Sequence, residues 1–148
     1  MPQYSAVISS VWSVNEAFAY MSDFSSARYW DPSVRSARRL DSGELAVGSQ
    51  FELTVRFAGR DKVLQYRVTD LEPPRRVVFT SETETLLSKD TLTFEPRPEG
   101  CSMTYHAELR LKGVAALGNF VLAAMFRPLG DRARDSLQEI LGEPRGSE

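Results

Sequence analysis

The sequence predicts an α+β fold in which a curved seven-stranded antiparallel sheet wraps around a long C-terminal helix, with two short helices after the first strand. Three observations carry this. Gly113 to Gly142 is the one stretch long and periodic enough for a major helix, with Val114, Leu117, Val121, Met125, Leu129, Ala133, Leu137 and Ile140 at steps of three and four. From Gly48 to Lys112 apolar and polar residues alternate with period two between short turns, the pattern of antiparallel strands with one wet face. The helix is apolar nearly all round from Val114 to Phe126, so it needs a large apolar surface, and a twisted sheet supplies one.

Each element follows from its residues. Tyr4 to Val11, rich in small and β-branched residues, predicts the first strand. Ser13 and Glu16 have the spacing of a capping box, and Val14, Ala17, Phe18 and Met21 form the apolar stripe of a short helix ending near Asp23. Ser25 to Trp30 is a second short helix or turn, stopped by Asp31-Pro32. Val34 to Leu40 is a weaker strand. Phe51, Leu53, Val55 and Phe57 alternate with Glu52, Thr54 and Arg56, and Ala58-Gly59-Arg60-Asp61 turns the chain into a return strand, Val63 to Leu71.

Glu72-Pro73-Pro74 breaks that strand, and Val77 to Ser81 and Leu86 to Glu95 follow. In the last strand Met103, Tyr105, Ala107, Leu109 and Leu111 alternate with Thr104, His106, Glu108, Arg110 and Lys112. The long helix comes next, with Pro128, which lacks an N–H, expected to kink or break it between an apolar and an amphipathic half. The domain is expected to span residues 1–142, with 143–148 a frayed tail.

The chain has 148 residues, enough for one domain with a real core. A net charge of −2 argues against nucleic acid as the main partner, and Arg35, Arg38 and Arg39 are weighed as a solvated edge. One cysteine, Cys101, precludes an internal disulfide. The N-terminus lacks a basic segment leading into an apolar core, and the run from Val114 to Phe126 is too short for a span, so a cytoplasmic protein without stable membrane insertion is expected. A single histidine and a single cysteine give no zinc set, no phosphate-binding glycine motif is present, and no cofactor is expected. His106 falls on the wet side of its strand, opposite in phase to Tyr105.

Particular residues go further than pattern. Ser13-Val14-Asn15-Glu16-Ala17-Phe18-Ala19-Tyr20-Met21-Ser22-Asp23, Arg28-Tyr29-Trp30-Asp31-Pro32-Ser33-Val34, Val68 to Phe79 with its Asp70-Leu71-Glu72-Pro73-Pro74 core, Phe94-Glu95-Pro96 and Gly100 to Tyr105 together resemble the polyketide cyclase/dehydrase group of the SRPBCC (START/birch-pollen-allergen-like) superfamily. The resemblance spans almost the whole chain. It implies a helix-grip fold, with an apolar cavity between the sheet and the C-terminal helix, in a superfamily whose members bind lipids, sterols, polyketides, quinones or plant hormones. Some members cyclise or dehydrate a bound polyketide. No catalytic set common to the superfamily transfers to this chain.

The candidate ligand-lining residues are those of the inward face. Phe51, Leu53, Val55, Tyr66, Phe79, Leu92 and Tyr105 are expected to face Leu117 and Val121. They pack a dry core or line a cavity; sheet curvature and the all-round apolar half-helix favour a cavity. Tyr66 and Tyr105 would orient a ligand, because a buried phenol needs a partner. Asp90 shares the face of Leu92 and Phe94, where a carboxylate must be hydrogen-bonded or reach water at a strand end. In the implied fold Trp30 sits at the mouth. The expected function is binding of a small hydrophobic or amphipathic molecule; the alternatives are a cyclase or dehydratase using a pocket tyrosine or carboxylate, and a protein-interaction module with no open cavity.

Overall fold

The structure, a computed structural model, describes residues 3–57, 59–113 and 118–144; within the last helix the side chains of residues 120–122 lie outside the description. The expectations for Ala58, Val114, Leu117, the side chains of Phe120, Val121 and Leu122, and the end of the tail therefore fall outside the described residues.

Among the described residues the chain runs β1 (Gln3–Ser10), α1 (Val14–Ser22), a 3₁₀ turn (Phe24–Ser26), α2 (Ala27–Trp30), β2 (Val34–Arg39), β3 (Gln50–Phe57), β4 (Arg60–Glu72), β5 (Arg76–Glu82), β6 (Leu86–Arg97), β7 (Gly100–Leu111) and α3 (Asn119–Leu141). The strands form one seven-stranded sheet in the order β1-β7-β6-β5-β4-β3-β2, antiparallel throughout. The helix-grip architecture is the one the sequence predicts.

Local chemistry explains the ends of the elements. Ser13 Oγ accepts the Glu16 N–H at 3.1 Å while Glu16 Oε1 accepts the Ser13 N–H at 3.1 Å, completing the capping box of α1. Asp23 accepts the Ser25 N–H and starts the 3₁₀ turn. Asp31 closes α2 and, through Ser33, opens an Asx-type turn into β2. Phe57 pairs directly with Arg60, so β4 begins three residues before the expected Val63.

α3 departs from expectation at both ends of its path. It begins at Asn119, not Gly113: the Asn119 amide accepts the Leu111 N–H at 3.0 Å and donates to the Leu111 carbonyl at 3.2 Å, tying the helix start to the end of β7, while Gly113 sits at φ 62° outside it. It also runs unbroken through Pro128, which is exposed.

The predicted stripe holds at Ala133 and Leu137, which are buried, and at Leu129 and Ile140, which are half-buried, but not at Met125. Gly130, Ala133, Leu137 and Leu141 are buried, Phe126 is half-buried, and Met125, expected inside, is 38% exposed with Ala123 and Ala124. The cause is the grip of β1 on the second half of the helix. Ser10 Oγ donates to the Leu141 carbonyl at 2.8 Å, Gln138 Nε2 to the Ser9 carbonyl at 3.0 Å, and Tyr4 OH to Asp131 Oδ1 at 2.7 Å. Gly130 lets this happen, since a Cβ there would meet the Tyr4 ring at 2.5 Å. In the first half of α3, Ala123, Ala124 and Met125 leave an apolar side exposed.

Candidate functional site

The strands that face α3 present a continuous row of buried residues. On β6 every second residue from Leu86 to Phe94 is buried, which puts Ser88, Asp90 and Leu92 inward; on β7 Met103, Tyr105 and Ala107 do the same. Between this face and α3 lies a cavity of about 170 Å³, with apolar walls from Leu53, Val55, Leu64, Ala107, Leu109 and Phe126. Tyr4, Asp31, Ser88, Asp90, Tyr66 and Tyr105 are its polar border, and Lys62 stands at its rim.

Asp90 is the unusual member. It is only 9% exposed, and it lies mid-strand rather than at a strand end, opposite Phe79 and Ala107 on the two neighbouring strands. Among the described residues its carboxylate has no hydrogen-bond or ion-pair partner, yet it is not sealed in protein, because it borders the cavity. Loss of water, then the nearby Asp31 charge, pushes its pKa up from the ordinary carboxylate value to about 7. Tyr105 is alike: its hydroxyl has no partner among the described residues and borders the same space, and burial followed by the Asp90 and Asp31 charges holds its phenol well above the usual range.

Tyr66 differs. Its hydroxyl and Ser88 Oγ are 2.8 Å apart and satisfy one another, and burial, then Asp90, keeps the phenol protonated. Asp31 Oδ1 accepts from Ser33 N–H at 2.9 Å and Ser33 Oγ at 2.7 Å. Desolvation nevertheless raises its pKa, against the pull of those two bonds and of Arg132. Tyr4, donating to Asp131, is pushed up to about 12 by burial first and that bond second.

The sequence-predicted set divides in two. Leu53, Val55, Tyr66, Asp90 and Tyr105 border the cavity. Phe51, Phe79 and Leu92 are fully buried away from it, packed as core. Phe24, from the 3₁₀ turn, stacks on Phe79 at 4.1 Å and meets Tyr66 and Phe51 edge-on, so one end of the sheet is closed by aromatics. Trp30 is not at a mouth. It is 1% exposed, donates from Nε1 to Ser26 Oγ at 3.1 Å, and packs edge-on to Tyr105 at 5.7 Å, because the short α2 turns its ring inward. Leu117 and the Val121 side chain lie outside the description.

Sequence reasoning missed Asp31, Tyr4, Ser88 and Phe24. Asp31 carried only a turn signal, Asp-Pro-Ser, and it acts on Asp90, more than fifty residues later in the chain, only in the folded sheet. Tyr4 and Ser88 were legible by alternation alone. Among the described residues there is no cluster of three or more His, Cys, Asp or Glu able to hold a metal ion, and no helix long and apolar enough to cross a membrane.

Comparison with known proteins places this geometry. Solved structures with the same fold include a START superfamily protein from Mycobacterium smegmatis (14% identical, 94% of this chain and 96% of that one, TM-score 0.75). An aromatase/cyclase from Streptomyces sp. R1128 matches at 12% identity over 94% of this chain and 90% of that one, TM-score 0.72. The protein TTHA0849 from Thermus thermophilus matches at 14% over 95% of each chain, TM-score 0.72. Likeness at such identities carries the fold alone. No curated protein matches the chain. The model of the family described as polyketide cyclase / dehydrase and lipid transport matches residues 1–141, and the chain belongs to that family.

Proposed function

We propose that the protein binds a small apolar or amphipathic molecule in the cavity between the sheet and α3. The observation that carries this reading is the open volume of about 170 Å³ between the sheet and α3, bordered by two buried polar groups, Asp90 and Tyr105, that have no hydrogen-bond partner among the described residues. A fold that leaves such groups without partners has given up stability there, and a ligand able to satisfy them restores it. Apolar burial supplies affinity and the polar pair supplies orientation. The volume favours a ligand of one ring or a short chain, since it lies below the ~300–1,000 Å³ of pockets that take drug-sized molecules. The open volume bordered by the described residues supports this reading over that of an interaction module with no cavity.

One observation favours a second reading, catalysis of the cyclase or dehydratase type. A carboxyl with a pKa of about 7 facing a cavity can give or take a proton near neutrality. The two readings separate on Asp90→Asn, which removes the titrating group and keeps the shape. An enzyme loses turnover even at saturating ligand; a carrier has no turnover to lose.

The test of binding is native mass spectrometry of the protein purified from its own host, followed by denaturing extraction. An apolar small molecule released in stoichiometric amount is expected. Failure of both an extracted molecule and any added apolar probe to bind would overturn the reading.

A further inference from the structure

We propose that the cavity takes its ligand as a cation: an apolar ring or short chain carrying a protonated amine, with the Asp90 carboxylate as counter-ion and the Tyr105 hydroxyl as a second acceptor beside it. The proposal deepens the binding reading above and rests on it.

The argument starts from what faces Asp90. From β7 comes Tyr105 and from β4 Tyr66, both phenols that burial keeps protonated and therefore neutral. From the α2–β2 turn comes Asp31, a second carboxylate, which together with Asp90 makes the field in the cavity negative. β1 contributes Tyr4, already committed to Asp131. The positive groups stand apart. Lys62 is at the exposed rim, and Arg132 of α3 acts on Asp31 without an ion pair to either carboxylate.

Each class of ligand head meets this field differently. An anionic head would face two carboxylates at short range in a dry site, a repulsion that water cannot screen. A neutral apolar ligand would fill the space but leave Asp90 buried without a partner, a cost that offsets part of its apolar burial. An ammonium group gives Asp90 the charge-assisted hydrogen bond that no group among the described residues supplies, and a further N–H can reach a lone pair of the Tyr105 hydroxyl. Size agrees, because a cavity of about 170 Å³ is close to the ~150 Å³ that holds benzene, leaving room for a ring and one small head group.

Titration calorimetry with benzylamine, benzyl alcohol, benzoate and toluene tests this, because the four differ chiefly in the head. At about pH 8.5 benzylamine remains largely protonated while Asp90 is ionised. Benzylamine is expected to bind at least about tenfold more tightly than benzyl alcohol, and benzoate most weakly. On the unaltered protein, benzylamine affinity should fall by up to about tenfold per pH unit below about pH 7, where Asp90 takes up its proton, while toluene affinity holds. In Asp90→Asn benzylamine should drop to the level of benzyl alcohol, with toluene still bound as evidence that the cavity persists. Equal affinities for the amine and the alcohol, or a preference for the amine that survives both low pH and Asp90→Asn, would overturn the cation proposal and leave the cavity reading standing. If none of the four binds, the cavity reading fails and the proposal with it.

Discussion

The hydroxyl of Tyr66, on β4, lies 2.8 Å from Oγ of Ser88, on β6, with the whole of β5 between them. The contact spans two strand spacings. It closes the wall of the cavity next to Asp90 and satisfies the one phenol of the pair that has a protein partner. Tyr105, its counterpart on β7, is left for whatever occupies the space.

This asymmetry makes the two tyrosines separable by mutation. Tyr66→Phe should cost about 1–2 kcal/mol of stability, because it strands a buried serine hydroxyl. A double-mutant cycle with Ser88→Ala should return a coupling of about 1 kcal/mol. Tyr105→Phe removes a hydroxyl with no partner among the described residues and should cost no stability. Urea unfolding of these variants beside the unaltered protein checks both statements.

Asp90 sets a pH dependence of unusual sign. Its folded pKa of about 7 lies above the unfolded value near 3.8, so the native state binds the extra proton between them. Stability from this group is full below about pH 4 and is lost as pH rises to about 7, by at most roughly 4 kcal/mol at 1.36 kcal/mol per pH unit. Asp31, raised by the same cause, acts in the same direction. Asp90→Asn should therefore exceed the unaltered protein in stability at pH 8 and lose that advantage at pH 4. Urea midpoints of both proteins at the two pH values give the answer.

Gly130 is the residue that lets α3 lie on β1. Ala favours a helix by about 1 kcal/mol over Gly at an ordinary position. Here its methyl would sit 2.5 Å from the Tyr4 ring, so Gly130→Ala should instead destabilise, by about 1–3 kcal/mol. Pairing it with Tyr4→Ala should recover part of that loss, as measured by denaturant midpoints.

Ala107 borders the cavity beside Asp90 and is 4% exposed. Ala107→Leu places three more carbons in open space rather than in packed core. Stability should hold within about 1 kcal/mol, while toluene binding weakens at least about tenfold. Calorimetric titration and thermal unfolding on the same sample measure both.

Much of this molecule could be read from alternation. On β6 and β7 the period of two placed Asp90 and Tyr105 inward, and the capping-box spacing of Ser13 and Glu16 placed α1. Alternation fixes which face a residue takes; it does not say which inward residues touch open space. Phe51, Phe79 and Leu92 point the same way as Tyr105, but the aromatic from the 3₁₀ turn, Phe24, fills the end of the sheet against Phe51 and Phe79. Helical periodicity failed similarly at Met125. Apolar residues occur on more than one side of the first half of α3, and the side that packs was chosen by Gly130 and Tyr4, a close approach visible only once β1 and α3 are brought together. Asp31 was hidden for the same reason.

The sheet order carries a consequence for how the molecule comes into being. β1 has one strand neighbour, β7, and Gln3 pairs with Glu108 across about a hundred residues of chain. During synthesis β1 must therefore wait, unpaired, until β7 about a hundred residues later has left the ribosome, a closure of high contact order that is slow and exposed to mispairing. Because the cavity needs Tyr4 from β1 and Gly130 from α3, no nascent chain that stops short of α3 contains it. A molecule that fits the cavity would bind only the finished fold and, by mass action, hold it closed.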